Sequence, residues 1–456
     1  MGIRLHLELG AARMAGALSR ASGRGGGTTI PGKLLWRLDP GAVDVLARRL
    51  PGGIAVVSAT NGKTTTTAMA AEILGHDRRL AWNRAGANLL SGIASALVAG
   101  RGAELGLFEV DQGALPEALA RTRPRVVALA NLFRDQLDRY GELEIVAERW
   151  RAAAAALPAD VTLVVNADDA VVADLAGERQ RTLRYGLDDP RHARPTLQHA
   201  ADSKYCVRCG SPYEFAAAYV GHLGDYRCPA CGHERPALDV AARSIELRGL
   251  WSSRFLLVTP QGAEEIELAL PGLYNVYNAV AAASVSLALG ASLEDIHAGL
   301  NRFSAAFGRF ERVPVHGKSV VLLLIKNPAG ANEVVRTLET GVPPVLVIAL
   351  NDAIADGHDV SWIWDVDFEP LMARVGHVIA TGDRAAELGL RLTYGGLPPE
   401  RLEVVPSLER ALDRGLGLVE AGTELIVLPT YTAMLALRKI LVDRGMLRPY
   451  WEDRAA

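Results

Sequence analysis

The 456 residues are 49% hydrophobic and carry a formal net charge of -3, which supports at least two cores and two or three domains and excludes the global basic field of a nucleic-acid binder. No apolar run approaches the ~20 residues of a membrane-spanning helix. Residues 1–32 scatter Arg4, Arg13, Arg20 and Arg24 among small residues, which breaks the uninterrupted core of a signal peptide, so a cytoplasmic protein with an arm and short helices over 1–50 is expected.

Beyond the glycine stretch at 23–27, residues 54–58 read as a buried parallel strand and 64–74 follow with helical spacing. Apolar strands recur at 105–110, 126–130 and 161–166, separated by helical patterns at 114–121 and 143–156. That alternation predicts a parallel sheet covered on both faces. Between about 202 and 236 the composition turns to Cys, Gly, Tyr and Pro, the mark of an inserted module. Alternating apolar positions at 244–250, 255–258 and 266–270 predict antiparallel strands at the sheet edge, and 275–289 an Ala-rich helix. A second α/β pattern has strands at 320–325, 345–350, 378–381 and 424–428 and a helix at 332–338. The expected division is a central domain over 51–311, interrupted by the module at 202–236, and a Rossmann-like domain over 312–456, joined near 311–318.

Ser58-Ala59-Thr60-Asn61-Gly62-Lys63-Thr64-Thr65 lies between a predicted strand and a predicted helix. A loop there aims backbone N–H groups and a helix N-terminus at phosphate; Lys63 neutralises the β/γ oxygens and Thr64 ligates Mg²⁺. Val57 stands where the strict G-x4-G-K-[ST] pattern has its first glycine, but Asn61-Gly62-Lys63-Thr64 keeps the essential tetrad in context.

Cys206-x2-Cys209 and Cys228-x2-Cys231 are separated by eighteen residues, and glycine follows each pair. This is the spacing of a four-cysteine zinc ribbon, with four thiolates and no open position, hence a structural Zn²⁺ worth roughly 10 kcal/mol or more to a module without its own core. His222 and His233 are read as bystanders. The ribbon's Lys and Arg residues are balanced by Asp and Glu, so nucleic-acid binding is not expected. With all four cysteines on zinc, none is left as a glutaminase nucleophile; a reaction that consumed ammonia from glutamine would need another chain to release it.

Thr60-Asn61-Gly62-Lys63-Thr64-Thr65 resembles the ATP loop of the Mur ligase and folylpolyglutamate synthase superfamily, and further matches follow in order. They are residues 83–92, Glu109 at a strand end, Asn131-Leu132-Phe133-Arg134-Asp135-Gln136-Leu137-Asp138, Asn166-Ala167-Asp168-Asp169, residues 272–279, and Gly308-Arg309-Phe310-Glu311. The resemblance implies a Mur-ligase-like ATPase domain in which Glu109 holds Mg²⁺, Asn275 and Asn278 contact adenine, and Arg309 reaches the nucleotide. Gln136 replaces the family's metal-binding histidine, and no lysine lies between Gln136 and Lys204 to be carbamylated for a second Mg²⁺. The ATP loop also begins too early for the usual domain that binds the UDP end of the substrate. Those departures, the cysteine module, residues 326–333 and the acidic loop at 351–369 resemble the MurT family. That resemblance implies a GatD-type glutamine amidotransferase partner in a heterodimer and lipid II as the substrate, at the inner face of the membrane. The implied reaction amidates the α-carboxylate of D-glutamate, with ATP forming an acyl phosphate that ammonia attacks.

In the acidic loop, Asp352, Asp356, Asp359 and Asp365 are too many carboxylates for packing alone. Asp356 is expected to deprotonate or orient ammonia or to complete the partner's site, with Asp352 as runner-up; the alternative is a solvated or helix-capping loop. Trp362 and Trp364 share a pleat face if the loop continues as a strand. Two other functions fit less of the sequence: a conventional ligase adding an amino acid to a carboxylate, and a nucleotide-regulated or nucleic-acid-binding scaffold.

Overall fold

The computed structural model describes residues 3–21, 29–84, 86–135, 141–198, 201–304 and 310–448. Its first sheet comprises β1 (Ile54–Ser58), β2 (Leu80–Trp82), β3 (Leu105–Val110), β4 (Val126–Leu129), β5 (Thr162–Asn166) and β6 (Thr182–Leu187). The chain then forms a separate hairpin, β7 (Glu214–Val220) and β8 (Leu223–Arg227), before returning to the sheet as β9 (Val240–Arg248), β10 (Ser252–Thr259) and β11 (Gly262–Leu268). The strand order is β11-β10-β9-β6-β5-β4-β1-β3-β2. Strands β2 to β6 and β9 run parallel with β1, while β10 and β11 are antiparallel additions at the edge.

Residue pattern explains this order. The runs in β1, β3 and β4 are buried at every position, as central parallel strands covered on both faces must be. Strand β10 alternates buried and half-buried positions, the period-2 signature of one covered face. The Lys63–Leu74 and Leu273–Ala288 helices cover one side of the sheet. The Ile3–Ala21, Ile30–Leu38 and Leu90–Ala99 helices cover the other, where Leu5, Leu9 and Ala12 pack under Leu35.

The second sheet comprises β12 (Phe310–Val315), β13 (Lys318–Leu323), β14 (Val345–Ala349), β15 (His377–Thr381), β16 (Leu402–Val404) and β17 (Glu424–Pro429), in the order β12-β13-β17-β14-β15-β16. Only β12 is antiparallel to its neighbour. It starts ahead of residue 312, so a boundary drawn there falls inside a strand. One hydrophobic cluster continues from the first sheet through Leu273 and Phe310 to Leu323 and Leu346 of the second. That shared core fixes how the two sheets meet. In the first sheet β1 has β4 on one side and β3 on the other, so the loop leaving β1 opens at a topological switch point, where ligands of α/β sheets bind.

Candidate functional site

The loop after β1 is held by side chains from the loop after β4. Asn131 accepts from the Asn61 N–H at 2.8 Å and donates to the Asn61 carbonyl at 3.0 Å. The Thr60 hydroxyl meets the Phe133 carbonyl at 3.2 Å and accepts the Phe133 N–H at 2.9 Å. Gly62 then turns into the Lys63–Leu74 helix at φ +86°, and a Cβ there would lie 2.0 Å from Asn278 Oδ1, so only glycine fits. No side chain caps this helix, which leaves its N-terminus available to an anion. Val57 sits in the strand itself, paired with Glu109; the turn needs no glycine that early.

Lys63 is buried, and its ammonium donates to the carbonyls of Ala59 and Thr60. Burial lowers its pKa to about 8, and repulsion from Lys326 adds to the effect, while Asp111, Asp135 and Glu109 oppose it. Glu109 near the end of β3 is fully buried, and Asn83 brackets its backbone, accepting at 2.9 Å and donating at 2.7 Å. The register Val57–Glu109 carries this carboxylate beside the phosphate loop, and Thr64 is half-buried in the helix's first turn. A hydroxyl and a carboxylate are the hard oxygen donors that suit Mg²⁺. Thr64 and Glu109 are the residues that could hold it. Gln136 and Arg309 lie outside the described residues.

A cleft opens between the two sheets. Asn61, Gly62 and Thr65 line one end, Asn275 and Asn278 one wall, and Phe310, Lys326 and Glu333 the side of the second sheet. Asn278 donates to Asn275 Oδ1 at 3.2 Å, and Asn275 donates to the Pro271 carbonyl at 2.7 Å. Of the residues matched to adenine contact, both asparagines therefore stand at this cleft.

Across the cleft, Asn61 and Asn327 exchange side-chain hydrogen bonds at 3.1 and 2.9 Å. Lys326 donates to Asp135 at 2.5 Å. Asn61 is expected from the sequence to bind ATP within the phosphate loop, whereas Asp135, Lys326 and Asn327 stand in motifs with no role of their own. They join segments separated by 266 and 191 positions, and only the meeting of the two sheets shows the pairing. A second recess adjoins through Lys326 and is lined by Arg134, Asp135, Asp356, Asp359, Trp362 and Asp365.

Asp356 enters this recess from the acidic loop. It accepts the Thr432 N–H at 2.9 Å and the Thr432 hydroxyl. Burial raises its pKa and the Thr432 hydrogen bonds resist the rise. Asp352 instead pairs with Arg384 at 3.2 Å, outside the residues that line the recess. Residues 361–365 form a 3-10 helix, Ser361–Asp365, rather than a strand, begun where Asp359 accepts the Ser361 N–H at 2.8 Å. Trp362 and Trp364 therefore share no pleat face: Trp362 lines the recess, and exposed Trp364 stacks edge-on against Tyr394.

The four cysteine sulfurs lie within 4.8 Å of one another, with Cys206–Cys231 at 3.6 Å and Cys209–Cys228 at 3.5 Å. Tetrahedral Zn–S bonds of ~2.3 Å place sulfurs ~3.8 Å apart, so the set fits zinc. Two tight knuckles present it: the Gly210 N–H reaches the Cys206 carbonyl at 2.8 Å and the Gly232 N–H the Cys228 carbonyl at 2.9 Å. His233 hydrogen-bonds Tyr213 at 2.7 Å, and His222 is buried between Phe133 and Asp169.

A family model described as MurT ligase C-terminal matches residues 324–434, and one described as Mur ligase middle domain matches residues 57–226. The sequence is similar to the lipid II isoglutaminyl synthase (glutamine-hydrolyzing) subunit MurT of Streptococcus pneumoniae, 31% identical over 433 residues that cover 93% of this chain and 94% of that protein. The same subunit of Staphylococcus aureus matches at the same identity and coverage. Among solved structures, a pseudomurein peptide ligase type C from Methanothermus fervidus aligns with a TM-score of 0.69 at 20% identity, over 88% of this chain and 80% of that one, a likeness of fold.

Proposed function

The chain belongs to the MurT family and is an ATP-dependent ligase subunit, and from that premise we propose that it amidates lipid II at the α-carboxylate of D-glutamate, giving D-isoglutamine. A carboxylate is a poor electrophile. In this reading its oxygen attacks the γ-phosphorus of ATP, ADP leaves, and ammonia displaces phosphate from the acyl phosphate. Asn61, Gly62, Lys63 and the helix N-terminus behind them hold the phosphates, with Thr60 and Thr65 completing the loop. Asn275 and Asn278 stand by the base, and Arg309 is assigned to the nucleotide from its motif. Thr64 and Glu109 would hold Mg²⁺, which when bound offsets charge on the phosphoryl group in flight.

One observation carries this reading: the Lys63 loop of one sheet and the Lys326–Asp356 end of the other face each other across adjoining cavities. A nucleotide gripped by the first sheet thereby delivers its terminal phosphate to the recess where Asp356 stands. Asp356 orients or deprotonates ammonia, or completes the partner's site. Asp352, tied to Arg384, is the weaker choice. All four cysteines of this chain sit in the ribbon, which leaves none to attack glutamine, so another chain has to release the ammonia; likeness to the MurT subunits points to a GatD-type glutamine amidotransferase as that partner. No helix among the described residues is long and apolar enough to cross a membrane; action at the inner face of the membrane follows from the proposed substrate.

The test is co-expression with a candidate amidotransferase, then mass spectrometry of lipid II incubated with ATP and glutamine. Replacement of a carboxyl OH by NH2 supports the reading. ATP turnover driven by an added amino acid, with no response to glutamine, would transfer the chain to the conventional ligases.

A further inference from the structure

The cysteine module is docked on the ATPase core, and its hairpin reaches the nucleotide cleft. Val220 and Leu223, which close the β7–β8 hairpin, line that cleft together with Leu270, Tyr274, Tyr277 and Phe310. These apolar side chains share the cleft with Asn275 and Asn278 and have the character of a slot for a flat base. The hairpin turn presses on Phe133: Gly221 sits at φ +57°, and a Cβ there would lie 2.8 Å from the Phe133 ring.

A buried carboxylate joins the module to the cleft wall. Arg235 donates to Asp168 Oδ1 at 2.9 Å and to the Leu187 carbonyl at 3.0 Å. The Tyr277 hydroxyl donates to Asp168 Oδ2 at 2.6 Å, and the Gly224 N–H reaches the Asp168 carbonyl at 2.9 Å. Asp168 is fully buried, and burial raises its pKa to about 6 against the pull of Arg235, Tyr277 and the Leu187 N–H. It is therefore mostly a carboxylate at neutral pH. A single anion thus ties the residue four positions after Cys231 to a tyrosine of the wall that carries Asn278.

We propose that the hairpin tip of the cysteine module, Val220 and Leu223, forms a wall of the nucleobase subsite, with Arg235, Asp168 and Tyr277 as positioning residues that hold it there. The inference rests on the ATP reading and gives the module a ligand-facing role beyond stability.

The test compares Mg²⁺-ADP with inorganic tripolyphosphate, which fills the phosphate loop but has no base, by calorimetry on the full-length, zinc-loaded chain. Leu223→Ala should weaken ADP about ten-fold and leave tripolyphosphate within about two-fold. Val220→Ala and Tyr277→Phe should show the same selectivity, and they decide the matter if Leu223→Ala does not fold. Unchanged ADP affinity in these variants, or equal losses for both ligands, overturns the proposal. A wild-type chain that binds neither ligand defeats the ATP reading, and the inference with it.

Discussion

Asp356→Asn separates two roles that meet in one side chain. The carboxylate accepts two hydrogen bonds from Thr432, at the start of the Tyr431–Asp443 helix, and also faces the recess beside Lys326 and Asp135. Asparagine keeps the shape: its oxygen still accepts the Thr432 N–H, and the Thr432 hydroxyl can rotate to accept from the new amide. The fold then loses the attraction between an anion and a helix N-terminus, ~0.3–1 kcal/mol, and regains part of it because burial already disfavours the charge. Alanine removes both hydrogen bonds and leaves half-buried donors without that partner, at ~1 kcal/mol or somewhat more. At roughly 4 °C per kcal/mol for a domain of this size, the C-terminal melting transition should shift slightly for asparagine and by several degrees more for alanine. Amidation should fall at least about 100-fold in both, the usual contribution of a positioned acid or base, while ADP affinity stays at the wild-type level. The assay is glutamine-dependent amidation of lipid II with the partner present, beside calorimetric ADP binding. Full activity in Asp356→Asn would reduce this residue to a helix cap.

Gly62→Ala should abolish nucleotide binding, since a left-handed φ costs an L-residue ~1–2 kcal/mol and the new methyl would displace Asn278; calorimetry with Mg²⁺-ADP checks it. Asn61→Ala and Asn327→Ala should each weaken ADP binding, the double variant losing less than the sum, because either single change leaves one amide of the pair without its partner. Cys209→Ser should lower the zinc content, read by atomic emission, and expose residues 201–235 to limited proteolysis, as expected where metal binding supplies the folding energy. ADP affinity should decline as pH rises through about 8, because phosphate needs the ammonium form of Lys63 and that group loses its proton there; Lys63→Arg should remove the decline.

Much of the layout was legible because the strands are hydrophobic along their whole length. Residues 105–110 were readable to the residue, since a six-residue apolar run buried on both faces has no competing pattern. Short or edge strands such as Leu80–Trp82 and Leu402–Val404 carry three residues each and left no periodic signal. The phosphate loop and the cysteine ribbon were readable for a different reason: their chemistry lies in contiguous spacing. The Asp168–Tyr277–Arg235 link has no such signature, because its members come from a strand-end loop, a helix and the module, and only packing brings them together. The acidic loop was misread as a possible strand because two tryptophans at alternate positions imitate a pleat. The segment is a 3-10 helix, preceded by a turn in which Asp359 accepts the Ser361 N–H.

Burial sets the direction of the pH effect at Lys63, and the second sheet adds to it. Lys326, which lines the cleft, lowers the pKa of the buried Lys63 further, so two like charges approach one another where the sheets meet. Each has a substitute partner: Lys63 donates to carbonyls of its own loop, and Lys326 to Asp135. Their mutual repulsion opposes the approach of the two sheets by an amount that grows as water leaves the cleft. A polyphosphate reverses the sign, since both ammonium groups then face negative oxygens. The nucleotide affinity proposed for this cleft would therefore depend on both ammonium groups, so Lys326→Ala should weaken Mg²⁺-ADP in calorimetry.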